Sequence, residues 1–410
     1  MRKWRSVALI LALFLLMGIA QPAFAQRGIT VTSNTYEFSF PKEITFHLEA
    51  QSGYEINEIT LLCRIGMTKA KRWAHPDFTP GKKVSAEYIM HLQRGEIPPF
   101  SRIEYFWRIE DAAGNELDTE PVTFEFEDNR FTWDSLSEDN VILYWYGADR
   151  AFGQRLLDSA VKALAHLEEE VGVKTKETVK IVVYQSKADM QEATIWRGRI
   201  FESQIITLGM VVAPNIVLLL GDHPEVDRTI AHELTHVVVG LATENPYAEI
   251  PAWLNEGLAM YNEGELRGGN AAALEEAIRR NQLIPVRSMT SPPGEPEKVN
   301  LFYGEAYSIV EFLLKTYGKE KMADLLAVFK EGTLTDDALE RVYGFDQDGL
   351  EVLWREYIGA PPKGEVTEVT PTPALAPEVE KRPQGWVCCG LLPGAVLAVA
   401  ALLVLKMVLR

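Results

Sequence analysis

Hydrophobic and polar positions alternate differently in successive stretches of the chain, and each pattern predicts a different kind of segment. Arg2, Lys3 and Arg5 precede an uncharged run from Val7 to Ala20, and Ala23-Phe24-Ala25 follows. A charged start, a short apolar run and a small-x-small site make a secretory leader, 1–25. Over 27–128 apolar residues recur with period two in short runs: Ile29–Thr32, Ile44–Leu48, Ile59–Cys63, Ala86–Met90, Ile103–Ile109 and Val122–Phe126. Ser52-Gly53, Pro80-Gly81 and Ala113-Gly114-Asn115 punctuate them. Short alternating strands between turn signals predict an all-β sandwich of immunoglobulin or fibronectin type.

The pattern changes near residue 131. Val141–Tyr146, Val179–Tyr184, Ile205–Leu208 and Ile216–Leu220 read as strands, Phe152–Val171 as an amphipathic helix and Ser186–Ala193 as a short one. Beyond Gly221 the chain reads helical to Ile358. Strands first and helices after predict an α+β domain over 131–360. Residues 361–385 are rich in proline and predict an extended stalk. Trp386–Leu405 carries no charge and is closed by Lys406 and Arg410. Twenty residues at about 1.5 Å each span about 30 Å of hydrocarbon, so 386–405 predicts a transmembrane helix with its C-terminus in the cytoplasm. The expected fold class is therefore multidomain: an all-β sandwich, an α+β domain and a C-terminal transmembrane helix. The expected location is the cell membrane, single-pass, with the N-terminal domains extracellular. No Asn-x-Ser/Thr sequon occurs, which favours a prokaryotic source.

Composition narrows the function. The chain has 410 residues, 47% of them hydrophobic, and a net charge of −17. It can bury real cores, and its acidic balance argues against nucleic acid as a partner. Three cysteines, Cys63 and the adjacent Cys388 and Cys389, exclude a disulfide scaffold and a Cys-rich zinc site. Cys63 reads as a small buried apolar residue.

The sharpest chemical signal is Thr229-Ile230-Ala231-His232-Glu233-Leu234-Thr235-His236 on a predicted helix, opened by Pro224 and Asp227 and closed by Gly240. Residues four apart share a helix face, so His232 and His236 can aim at one tetrahedral ion, Zn2+. Glu233 stands beside them, placed to take a proton from water. Zinc needs a third protein ligand. Pro251-Ala252-Trp253-Leu254-Asn255-Glu256-Gly257 supplies Glu256, a carboxylate in an apolar helix that would be costly unless its charge is compensated. The competing reading of Glu256 is a surface side chain. Glu263, Glu265, Glu275 and Glu276 further on read as plain surface.

These two helices together resemble the gluzincin zinc metallopeptidases, most of all the peptidase-MA-like domain family, and more distantly the zinc aminopeptidases. The resemblance continues through Phe302-Tyr303-Gly304-Glu305-Ala306-Tyr307 into the helices that end near Tyr357. It implies a thermolysin-like fold over 131–360, one Zn2+ per chain held by His232, His236 and Glu256, and Glu233 as general base. It implies a peptide or protein substrate, with Tyr303 at the position of the oxyanion-binding Tyr and Tyr307, one turn on, as the second candidate. For either Tyr, ordinary aromatic core competes. Two departures matter. The aminopeptidases hold the substrate amine with a Gly-x-Met-Glu-Asn strand, whereas Gly209-Met210-Val211-Val212-Ala213-Pro214-Asn215 has no Glu. Thermolysin-like enzymes carry an Asp four residues after the ligand Glu, where Met260 stands, leaving the partner of the zinc-binding His unidentified. Ile216–Leu220 could be the edge strand that pairs with a peptide, or equally an interior strand. The expected activity is that of a membrane-anchored extracellular zinc endopeptidase. The alternatives are an inactive surface binding module and a zinc aminopeptidase.

Overall fold

The computed structural model describes residues 28–195, 205–206, 208–221, 223–363 and 386–387. The predicted leader lies outside them. The chain divides into two compact units: the first runs to Leu92 and resumes over Arg102–Glu125, and the second takes Gln93–Ser101 and continues from Phe126.

The first unit is all β, with strands β1 (Thr30–Ser39), β2 (Glu43–Ile65), β3 (Arg72–Ala74), β4 (Gly81–His91), β5 (Ser101–Asp111), β6 (Glu116–Asp118) and β7 (Val122–Phe126) in one hydrogen-bonded sheet. Sequence reading broke β2 at Ser52-Gly53, but the strand runs through. Its first half pairs with β1 and β4 and its second with β3 and β5, with the register slipping between Gln51 and Ile56. Ser52 Oγ donates to Asp111 Oδ2 at 2.6 Å, satisfying the polar side chain where the ladder changes partners. The halves then pack inward on one core: the Phe46 ring meets Tyr105 edge-on at 4.8 Å, and Trp107 Nε1 donates to Asn34 Oδ1 at 3.2 Å. Cys63 is buried there, as its small apolar character requires.

The second unit opens with β8 (Asp134–Glu138), β9 (Val141–Trp145), α1 (Arg150–Glu170), β10 (Val179–Tyr184), α2 (Lys187–Glu192), β11 (Ile205–Ile206), β12 (Gly209–Ala213) and β13 (Ile216–Leu220). Five of these strands form a sheet in the order β12-β13-β10-β9-β8. The inner three are parallel and the two edges antiparallel. Interior parallel strands are covered on both faces and read as unbroken apolar runs, as in Ile216-Val217-Leu218-Leu219-Leu220. So Ile216–Leu220 is interior, and among the described residues β12 is the edge strand on that side of the sheet. Helix α1 lays Leu156, Leu157, Ala160, Ala163 and Leu167 on the core, and Asp149 caps it by accepting from Phe152 N–H at 2.9 Å.

Helices follow: α3 (Val226–Thr243), α4 (Ala252–Asn262), α5 (Gly268–Arg280), α6 (Pro296–Tyr317), α7 (Lys319–Lys330), α8 (Thr335–Tyr343) and α9 (Gln347–Tyr357). Helix α3 does not stop at Gly240 but runs one turn further. It is the hinge between two cores. Ile230, Leu234 and Val237 join the sheet and α1, while Val238 and Val239 join the helical core with Trp253, Leu258, Phe302 and Trp354. That double burial carries its polar side chains into the interior.

The fold class needs one correction. Among the described residues no helix is long and apolar enough to cross a membrane. The expected span begins with Trp386–Val387, which is a two-residue strand, β14, paired with β11 rather than the start of a helix. Two bridging peptide pairs require extended backbone, which a helix spanning 386–405 excludes at its first residues. Residues 388–405 lie outside the described residues. Residues 361–363, grouped above with the stalk, still lie against α9: Arg355 donates to the carbonyl of Pro361, and Lys363 Nζ to Glu351 Oε2 at 2.9 Å.

Candidate metal centre

Helices α3 and α4 pack side by side. Asn262 Nδ2 donates to Thr235 Oγ1 at 2.9 Å and to the carbonyl of Ala231 at 3.2 Å, bonding the end of α4 to the middle of α3. This brings His232 and His236, one turn apart, against Glu256. Their Nε2 atoms are 3.1 Å apart and lie 3.5 and 3.8 Å from Glu256 Oε2. All three donor atoms fall within 4.8 Å of one another, and Glu256 has no exposed surface.

The outer ring nitrogens determine what the inner ones can do. His232 Nδ1 is 2.8 Å from Glu263 Oε1, and His236 Nδ1 is 3.1 Å from Asn255 Oδ1. Both partners only accept there, so this hydrogen-bond network assigns the protons to Nδ1 and leaves lone pairs on both Nε2 atoms. Neither oxygen of Glu256 has a hydrogen-bond donor. Two lone pairs and a fully buried, donorless carboxylate facing one point form a set of acceptors that only a cation satisfies. Two imidazole nitrogens and one carboxylate oxygen suit Zn2+ with an open fourth position. Burial lowers the His236 pKa below the ordinary histidine value, against the attraction of Glu256, so the ring is held neutral as a ligand must be.

Glu233 is the next residue on α3 and is 1% exposed. Burial pushes its carboxyl up to about 7; His232 opposes that, Glu256 and Glu263 add to it, and a hydrogen bond from the Val211 backbone N–H opposes it. Its Oε1 has no partner. The sheet reaches Glu233 through Gly209, where a Cβ would stand 2.7 Å from Glu233 Cγ and 2.6 Å from Thr229 Cγ2. Glycine is required for β12 to lie this close to the helix.

Sequence reading missed Glu263 and placed it on the surface. Its side chain is 2% exposed and is the partner of His232 that Met260 is not. Burial alone would raise its pKa, but the hydrogen bond and charge of His232 and then Arg267 hold the carboxyl below the usual range. The available signal was spacing. Glu263 follows Glu256 by seven residues, two turns on the same face.

The ring contacts of the two tyrosines are with other aromatic side chains. Tyr307 packs on Tyr261, ring centroids 5.9 Å apart, and burial and then Glu311 push its hydroxyl up to about 12. Tyr303 is half-buried with its ring edge-on to Phe302. It lies three residues before Ala306, whose carbonyl abuts Gly257 on α4, and one turn before Tyr307, so both tyrosines lie toward the side of α6 turned to α4.

Fold and side chains define this second unit as a gluzincin-type zinc metallopeptidase domain. Residues 159–360 match the family model of the Peptidase MA superfamily, and the domain belongs to that family. Among solved structures, the chain is similar to the M1 zinc metallopeptidase from Deinococcus radiodurans, at 11% identity and a TM-score of 0.36, over 85% of this chain and 98% of that one. It is similar to Legionella pneumophila aminopeptidase A in complex with aspartic acid, at 11% identity and a TM-score of 0.37, over 81% of this chain and 50% of that one. A carbohydrate-binding module family 56 β-1,3-glucan binding domain matches 23% of this chain and 96% of its own, at 15% identity and a TM-score of 0.16. No curated protein matches the sequence.

Proposed function

We propose that this chain is an exported zinc endopeptidase, with His232, His236 and Glu256 as its metal ligands and Glu233 as its general base. The observation that carries the reading is the donorless, fully buried Glu256 facing two imidazole lone pairs beside Glu233. A zinc ion in that cradle supplies positive charge that acidifies water and polarises a peptide carbonyl. Glu233 accepts the proton of the attacking water and returns it to the departing amine. An extended substrate pairs along β12, the edge strand of the sheet among the described residues, beside its partner β13. Tyr303, at the position of the oxyanion-binding Tyr in the resemblance, is the proposed oxyanion donor, with Tyr307, packed on Tyr261 of α4, as the second candidate. No carboxylate stands on Gly209–Ala213 to hold a substrate amine, which favours internal cleavage over aminopeptidase action.

The test is zinc content and peptide cleavage by wild type, Glu256→Ala, Glu233→Gln and Tyr303→Phe. One zinc per wild-type chain is expected, lost in Glu256→Ala. Glu233→Gln keeps zinc and loses about 100-fold or more in kcat. Tyr303→Phe keeps zinc and loses about 100-fold. Peptides with a blocked amine separate the two activities: their cleavage supports an endopeptidase, and a requirement for the free amine supports an aminopeptidase. Folded wild type that takes up no zinc, or unchanged turnover in Glu233→Gln, overturns the peptidase reading.

A further inference from the structure

The two histidines are held differently. His236 leans on a neutral amide, Asn255, whereas His232 leans on a carboxylate, Glu263, that is itself gripped from outside. Arg267 reaches Glu263 Oε2 with Nε at 3.2 Å and Nη2 at 2.9 Å, and Arg228 Nε lies 3.7 Å from the same oxygen. Exposure falls along this line, from 34% and 35% at the two arginines to 2% at Glu263 and 1% at His232. Each arginine comes from a different helical segment. Arg228 lies one turn before His232 on α3, and its Nη2 also donates to the carbonyl of Glu265 at 2.6 Å. Arg267 lies one turn after Glu263, at the start of α5.

A carboxylate bonded through only one oxygen can turn about its last torsion. A guanidinium fork on the second oxygen fixes its plane. The plane of Glu263 sets the direction of Oε1, and Oε1 sets the ring angle of His232 and hence where Nε2 points. We propose that Arg228 and Arg267 are positioning residues of the metal centre, acting on His232 through Glu263. The proposal rests on the zinc-ligand reading above. It assigns these arginines a role beyond joining α3 to the start of α5.

The experiment compares zinc retention against a competing chelator in the full chain and in Arg267→Gln, Arg228→Gln, the double variant, Arg267→Lys and His232→Ala. Melting of each metal-free form and the absorption spectrum of each cobalt-substituted form are recorded alongside. Zinc retention is expected to fall about tenfold or more in the double variant, the effect typical of outer partners of metal-binding His. Arg267→Lys, which keeps the charge but not the fork, recovers part of it. The cobalt spectrum shifts, while the metal-free forms melt with wild type. Zinc affinity within about twofold of wild type in the double variant, with His232→Ala releasing the metal, overturns the clamp alone. So does weakened affinity matched by an equal loss of metal-free stability without rescue by Lys. Wild type that never binds zinc overturns both this proposal and the reading beneath it.

Discussion

Glu305 on α6 has no exposed surface and serves no step proposed above. Its Oε1 accepts from Ile284 N–H at 3.0 Å and its Oε2 has no partner. Burial pushes its carboxyl from 4.5 up to about 8, with Ile284 and Arg355 opposing. The folded chain therefore holds a proton that the unfolded chain releases between those values, so stability falls as pH rises through that window. Glu305→Gln keeps an acceptor for Ile284 and removes the titration. Urea unfolding at several pH values is expected to show a shallower decline for the variant than for wild type; equal declines would assign the effect elsewhere. At this scale the sequence was most informative where helical spacing dictates a shared face, as for His232, His236 and Glu233. Glu256 could be recognised because a lone carboxylate in an apolar helix needs compensation. For Glu263 the spacing from Glu256 gives only a shared face, and an acidic residue at a helix end is usually solvated. Only the packing of α3 on the end of α4 buries it.

Between elements, the tightest joint is α4 against α6. A Cβ on Gly257 would stand 2.3 Å from the carbonyl oxygen of Ala306 and 2.6 Å from Val310 Cγ2. The nearest atom is backbone, so the helices themselves must separate. Gly257→Ala is expected to cost about 1–3 kcal/mol in chemical denaturation, despite alanine's better helix propensity. A neutral or stabilising result would show that the joint has slack. Strands fared unevenly for physical reasons. The run Ile216–Leu220 is apolar at every position, the signature of a strand covered on both faces, yet the choice between edge and interior depends on what lies beside it. Strand β8, Asp134-Ser135-Leu136-Ser137-Glu138, shows no apolar alternation because it is a largely exposed edge held by its ladder to β9. Strand β2 was divided at Ser52-Gly53, where turn composition marks a change of pairing partners rather than a reversal.

At the scale of the whole molecule, the chain has two compact units, and the metal-binding group lies in one of them. Binding of zinc to the folded state alone stabilises by mass action, about 2.7 kcal/mol at a free concentration 100 times Kd. In calorimetry, removing zinc is expected to lower the unfolding transition of the second unit and leave that of the β unit in place. A common shift of all transitions would show that the units unfold together. What the sequence determined by itself is local: the period-two strands, the amphipathic α1, and the spacing that turns two imidazoles and a neighbouring carboxylate to one side of a helix. These depend on residues within a turn or two of one another. Tertiary structure decided the rest. It put β12 rather than β13 at the end of the sheet among the described residues and showed Trp386–Val387 as strand rather than the start of a helix. It buried Glu263 behind His232 and packed Tyr307 on Tyr261. Each depends on which distant segment comes to lie alongside, because burial and partner choice belong to the packed chain and not to its local pattern.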